Sequence, residues 1–200
     1  MKKIIVILLV AGLALFLFFP QGKLTYGPGR IAPDAPEQKR LLNAEAKRVN
    51  GYQVQPLAQF NMEARALSTR KYYFGQESRL SPLDVVFGWG PMSDERVLEH
   101  ISISQGNRWY HWRSSDLPIP KSSIQLHSAN MHLIPSNERV KKKLKQIKIG
   151  HVVQLKGKLV RIGASDGWSW KSSLSRTDTG AGSCEIIWVE TLKLLQPDQR

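Results

Sequence analysis

Two hundred residues, less an N-terminal apolar run and a linker, leave one domain's worth of chain by the usual ~100–200 residues per domain. The single cysteine, Cys184, excludes an intrachain disulfide and a cysteine-based zinc site, and no cysteine follows the apolar run to carry a lipoprotein anchor. A formal net charge of +13 favours encounter with nucleic acid, anionic lipid or acidic glycans but specifies no reaction.

Met1-Lys2-Lys3 precedes Ile4 to Phe19, a run without charge that Pro20 closes. At sixteen residues it is short for a spanning helix of ~17–25 and long for a signal-peptide core of ~7–15. The stretch after it, Leu17 to Lys23, holds no Ala-x-Ala for a signal peptidase. The reading is therefore a transmembrane anchor over 1–20, uncleaved, in contact with the membrane through residues 4–19. Its flanking lysines stay in the cytoplasm. For a bacterium this means a single pass through the inner membrane with the C-terminal domain in the periplasm.

Residues 21–56 read as a linker, broken by Gly22, Gly27, Pro28, Gly29, Pro33 and Pro36. Within it, Glu37 to Val49 is rich in helix formers and predicts one short helix. The domain runs from 57 to 195, with a polar tail at 196–200. Phe60, Met62, Ala64 and Ala66 alternate with polar residues and predict a first strand. Ser81-Pro82-Leu83-Asp84 has the cap, proline and acid of a helix start, ended by Gly88. Ser93 caps a second helix over Asp94 to His100. Ile101 with Ile103, and Arg108 to Arg113, form two strands joined at Gln105-Gly106-Asn107. Leu117 to Pro120 is extended loop.

The stretch from His127 to Ile162 organises the rest. Ser136 or Asn137 caps a helix whose Val140, Leu144 and Ile147 share one face and whose other faces are lysine-rich. Gly150 ends it. Val153, Leu155 and Leu159 then alternate with polar residues, and Gly157 marks a bulge or barrel bend. Residues 167–174 and 184–195 supply a final strand pair. The fold class is mainly β with short helices (α+β). Five main strands with a helix between the third and fourth is the order of a small OB-like β-barrel, here behind an N-terminal transmembrane helix.

The constellations carrying chemistry are few. Asp178-Thr179-Gly180-Ala181 spells the tetrapeptide of retropepsin-like aspartic proteases, in which two aspartates sharing a proton activate water. One copy demands a homodimer, and polar Ser175-Arg176-Thr177 leads in where that family has an apolar strand; a turn is the plainer reading. His127 and His132 point to opposite faces of a strand, and no histidine spacing suggests a metal, so no metal or cofactor is expected. Asn130 suits a buried amide that fixes a loop. Cys184 heads an apolar strand and reads as an inert thiol rather than a nucleophile. Trp89, between two glycines, suits a packing plug.

Trp168 and Trp170 share a strand face. With Trp109 or Trp112 beside them they would form an aromatic platform; otherwise they are core. The lysine-rich helix offers charge to an anionic polymer or to lipid headgroups, a solvated face being the default. The ligand-binding candidates are Trp109, Trp168, Trp170, Lys141, Lys142 and Lys145. The expectation is a non-enzymatic periplasmic binding or scaffold module for an anionic polymer or an envelope protein, nucleic acid being disfavoured in that compartment. The rival is a hydrolase using Asp178 with His132.

The phrases GWGPMSD (88–94), SANMHLIP (128–135), GWSWKSSL (167–174) and DTGAGSCE (178–185) resemble those of a family of membrane-anchored, proteobacterial-type proteins of unknown function. The resemblance covers Phe60 to Val189. It implies a bacterial envelope protein and transfers no catalytic or binding residue.

Overall fold

Residues 23–175 and 184–195 are described in the computed structural model. The alternation around Phe60 belongs to one long strand, β3 (Tyr52–Lys71), of 20 residues. It pairs antiparallel with β8 (Val152–Gly163) from Gln53 to Arg65, then with β4 (Leu83–Gly88) from Arg65 to Lys71. Register shifts at Pro56/Ala58 and Ala66/Ser68 let the strand bend where its neighbours change. β4 pairs with β7 (Ser128–Pro135), β7 runs parallel to β10 (Glu185–Leu195), and β10 returns antiparallel to β8. The sheet thus forms a ring, β3–β4–β7–β10–β8–β3.

Inward residues of the ring build the core: Phe60, Met62, Val85, Phe87, Met131, Leu133, Leu155, Leu159 and Ile187 are all buried. Helix α4 (Glu138–Leu144) plugs one end. Val140, Leu144 and Ile147 join the same cluster, and Asn137 caps it by accepting from the Val140 N–H at 3.0 Å. Gly157 lies beside the register shift at Val189/Thr191, where a Cβ would run into the Trp188 carbonyl oxygen. Trp89 is buried in this core, as its flanking glycines suggest.

Several expectations are corrected. No helix covers 37–49: β1 (Glu37–Arg40) and β2 (Lys47–Val49) pair with β3. The helix expected from Ser81 is instead strand β4, and the short helix α1 (Gln76–Leu80) precedes it. β4 is buried on both faces, so it lacks the alternation that marks a half-buried strand. Asp94 rather than Ser93 caps α2 (Glu95–Leu98), after a 3-10 turn at Gly90–Ser93. β5 (Ser102–Gly106) and β6 (Trp109–Arg113) do form a hairpin, but it is a separate two-stranded sheet and supplies no ring strand. α3 (Lys121–Leu126) follows it, and β9 (Ser169–Lys171) pairs with the end of β8. Among the described residues no helix is long and apolar enough to cross a membrane; the 4–19 run lies outside them.

The segment after residue 22 does not hang free. Ala32 is fully buried, its N–H donates to Ser93 Oγ, and Arg30 bridges to Asp94. The Gly29 N–H also donates to Asp94. The Arg96 side chain hydrogen-bonds the Asp94 carboxyl and, with the Gly29 and Arg96 N–H groups and against the opposing effect of burial, holds it at about 2 where an ordinary aspartate has 3.8.

Gly157→Ala should destabilise by about 1–3 kcal/mol, read as a lower urea midpoint at unchanged slope. Gly163→Ala, in the same strand but with open space around the site, should leave the midpoint within about 0.5 kcal/mol of the parent. For Asp94 the folded value is depressed, so its stabilisation is present above pH about 4 and is lost as pH falls toward 2. Urea titrations at stepped pH should show a shallower acid loss in Asp94→Asn, and the difference from the parent should shrink in high salt because Arg96 is exposed.

Candidate functional site

Leu83, Val85 and Phe87 face the core, so Asp84 and Val86 face outward from the ring. On β7, Met131 and Leu133 face in, which turns Asn130, His132 and Ile134 out. The register places Asp84 opposite His132 and Val86 opposite Asn130. An outward polar row would ordinarily meet water. Here Asp84 is 0% exposed and His132 2%.

The β5–β6 hairpin supplies part of the roof. Asn107 (φ 49) and Arg108 (φ 67) form its tip, and two left-handed residues match the turn that joins twisted strands. Asn suits that region; Arg is strained there, and such a residue persists only when its surroundings hold it. They do. The Arg108 N–H donates to Tyr72 Oη at 3.0 Å, and its carbonyl accepts from Asn130 Nδ2 at 2.8 Å. Asn130 Oδ1 accepts from Gln105 Nε2, so Asn130 is the buried amide that fixes this loop. Arg108 Nη1 donates to Asp84 Oδ1 at 2.6 Å and to the Ser81 carbonyl at 2.9 Å. Its guanidinium lies 4.0 Å from the Tyr72 ring centroid and 5.7 Å from that of Trp170. Cys184, half-buried at the head of β10, places Sγ 3.8 Å from the Arg108 carbonyl oxygen.

An aromatic row completes the site. Trp168, just before β9, and Trp170 within it are both half-buried, with Trp170 opposite Ile162 of β8. Ring centroids step 6.1 Å from Tyr52 to Trp168, 6.2 Å on to Trp170 and 4.8 Å to His132. The row packs on Val160, Ile162, Ile134 and Ile186, so it also closes an apolar patch on the ring's outer face. At its Tyr52 end a cleft of about 390 Å³ opens between the β2–β3 and β8–β9 turns, lined by Lys47, Arg48, Gln53 and Ser165 among others. The Ala164 N–H of that wall donates to the Trp168 carbonyl, which joins cleft and row directly.

The polar centre is not fully satisfied. His132 Nδ1 is 3.0 Å from Asp84 Oδ1, but the approach is not aligned as a hydrogen bond, and Asp84 Oδ2 has no hydrogen-bond partner among the described residues. Each unmet buried group costs about 1–3 kcal/mol. A valine–isoleucine pair at these positions would stabilise the sheet more, so the fold alone does not call for the cluster. Chemically, the site offers a cation held between two rings, stacking faces and an imidazole beside a carboxylate.

Of the expected site residues, Trp168 and Trp170 come together. Trp109 is on the hairpin, 38% exposed, with no ring contact to them among the described residues. Lys141, Lys142 and Lys145 lie elsewhere: α4 leads into Val152, whereas Trp170 pairs at Ile162, roughly 33 Å further along β8. Asp178 lies outside the described residues; His132 has a different carboxylate beside it, Asp84. His127 sits on the Ser123 carbonyl at 2.8 Å, while His100 and His111 are exposed. No group of three metal-ligating side chains is found among the described residues. Asp84, Arg108 and Tyr72 were not anticipated. The one available signal was an acid inside an apolar run, Leu83 to Phe87, which a strand reading would have made conspicuous. Comparison of the chain with protein-family models, with curated proteins and with solved structures finds no match.

Removing the cation should expose the cost of the lone acid. Arg108→Met leaves Asp84 buried and uncompensated and should destabilise by about 3 kcal/mol. Adding Asp84→Asn should recover at least half of that loss. Equal destabilisation of the single and double variants in urea would show that the pair does not couple.

Proposed function

We propose that the protein is a membrane-anchored bacterial envelope protein that presents an OB-like β-barrel to the periplasm and binds an anionic polymer there, without catalysing a reaction. The strand order of the ring, its one parallel pairing between β7 and β10 and the helix between its third and fourth strands support the OB-like assignment. In such barrels the outward face of the second and third strands, with the first–second and fourth–fifth strand loops, receives oligonucleotides and oligosaccharides. Here those strands are β4 and β7, and the fourth–fifth connection carries β9.

One observation carries the reading: the row Tyr52–Trp168–Trp170–His132 runs from the start of β3 past β9 in the fourth–fifth connection to the outward face of β7, where Arg108 lies between Tyr72 and Trp170. Aromatic faces stack successive rings of a chain-like ligand, and a nearby basic cleft takes its charges. Arg108 neutralises Asp84, so Lys47 and Arg48 in the cleft supply attraction. The location rests on Lys2, Lys3 and the uncharged run 4–19. The lysines of α4 are left out of this site because the barrel's length separates them from the row.

Tryptophan fluorescence of the full chain in detergent tests this, titrated with dextran sulfate, peptidoglycan fragments and single-stranded oligonucleotide at low and high salt. Salt-sensitive quenching by one class is expected. Trp168→Ala should weaken that binding about tenfold or more. Lys47→Glu with Arg48→Glu, both exposed, should abolish it with unchanged circular dichroism. If no titrant alters the emission, or if binding survives the charge reversal, the reading fails and the tryptophans only cover the outer apolar patch.

A further inference from the structure

The chain from residue 23 on is packed against the domain. The Leu24 N–H donates to the Ile149 carbonyl at 3.1 Å. Next to it Gly150 is left-handed (φ 94), and a Cβ there would run into the Leu24 carbonyl oxygen, so the two backbones touch. Arg65, fully buried, reaches from β3 to the same Leu24 carbonyl at 3.1 Å and pairs with Glu95. Glu95 also takes Lys23 at 2.9 Å. Burial would raise the Glu95 carboxyl; the hydrogen bonds from Lys23 and Arg65 outweigh that and hold it lowered, so the acid stays charged. Residue 24 is fastened to the turn between α4 and β8, and Lys23 to Glu95 of α2.

That fixes an orientation. Between Phe19, the last residue of the apolar run, and Lys23 there are four chain steps, which span at most about 14 Å. Whatever bilayer holds residues 4–19 therefore has the α4–β8 turn beside its surface. The exposed groups there suit it. Leu24 and Ile149 are each 37% exposed, a small apolar pair, and Lys142, Lys145 and Lys148 are exposed around the helix end. Glu138 pairs with Lys141, whereas Lys142 and Lys145 have no ion pair among the described residues. Apolar side chains ringed by lysines are the composition of a surface that sits at a headgroup boundary and is drawn there by anionic lipid.

We propose that the end of the domain formed by Leu24, Lys142, Lys145, Lys148 and Ile149 docks on the anionic lipid surface of the bilayer in which residues 4–19 are anchored. The proposal rests on the anchor reading of that run. The charges lie within reach of the surface potential, which decays over a Debye length of about 8 Å at physiological salt. The aromatic row is then carried at the far end of the ring, away from the membrane.

The test uses the full chain with Cys184→Ser, reconstituted in nanodiscs of phosphatidylcholine with or without phosphatidylglycerol. An environment-sensitive dye goes on Ile149→Cys or, as control, on the exposed Ser169→Cys, and lipids spin-labelled near the headgroup act as quencher. Strong quenching at 149 in phosphatidylglycerol discs is expected, weaker in phosphatidylcholine alone, with little at 169. Reversing Lys142, Lys145 and Lys148 to Glu should bring position 149 down to the neutral-lipid level while the chain stays in the disc. Equal quenching at 149 and 169, or quenching indifferent to charge reversal, overturns the docking surface. A chain that never enters the discs overturns the anchor reading itself, and the docking with it, and is recognised by its absence from the disc fraction before any dye is read.

Discussion

The architecture depends on β3 having two partners. A 20-residue strand that stayed beside one neighbour would lie in an open sheet; this one leaves β8 and takes up β4 at Arg65. Two register shifts bend it enough to do so, and the ring closes. Closure creates an inside and an outside. The inside is filled by side chains and plugged by α4. The outside must be covered piecemeal, by β9 and its tryptophans on one sector and by the 3-10 turn, α2 and the β5–β6 hairpin on another. The candidate site lies on the outward face of β4 and β7, against both covers.

A covered outer face is a place where polar groups are expensive. Val86, Ile134 and Ile186 show what the sheet does when packing alone decides. Asp84, His132, Asn130 and Arg108 run against that. Asn130 is accounted for structurally, since it ties the hairpin tip to β7 through two hydrogen bonds. The Asp84–Arg108 pair is not, because a buried pair seldom beats well-packed apolar residues of similar volume. Arg108 adds backbone strain that a glycine at its position would avoid. The strained backbone, the unmet Asp84 oxygen and the ring contacts all converge on one guanidinium. That convergence, more than any single distance, is what favours the proposed ligand-binding reading of the outer face.

What was legible in the sequence was whatever had one wet side. α4 announced itself by Val140, Leu144, Ile147 and the Asn137 cap, and β8 by its alternation and Gly157. Trp168 and Trp170 lie side by side, with ring centroids 6.2 Å apart, although only Trp170 is in β9. β4 was misread because a strand buried on both faces has no period, while Ser81-Pro82-Leu83-Asp84 imitates a helix start. β1 erred the other way. Its residues are all exposed, and the Glu, Lys and Arg that protect an edge strand are also helix formers. Arg108 could not be found from sequence, since its meeting with Trp170 depends on a turn with two left-handed residues that the string Asn107-Arg108 does not advertise. The ring has five strands, but β4 and β7 fill the places that the sequence suggests for the hairpin strands β5 and β6.

The two ends of the ring answer different demands, and the chain's charge divides between them. Lysines of α4 surround the turn to which Leu24 is fastened, and the aromatic row sits where β8 ends. A positively charged chain near an anionic surface would tumble toward it by any face if loosely held. On the proposed anchoring, the contact of residue 24 with the α4–β8 turn removes that freedom, because four chain steps from Phe19 to Lys23 span at most about 14 Å. The same short connection that limits reach therefore sets direction. On the proposed anchoring and polymer binding, a site serves best at the end opposite the anchor, and the aromatic row, roughly 33 Å along β8 from the lysine helix, is at that end.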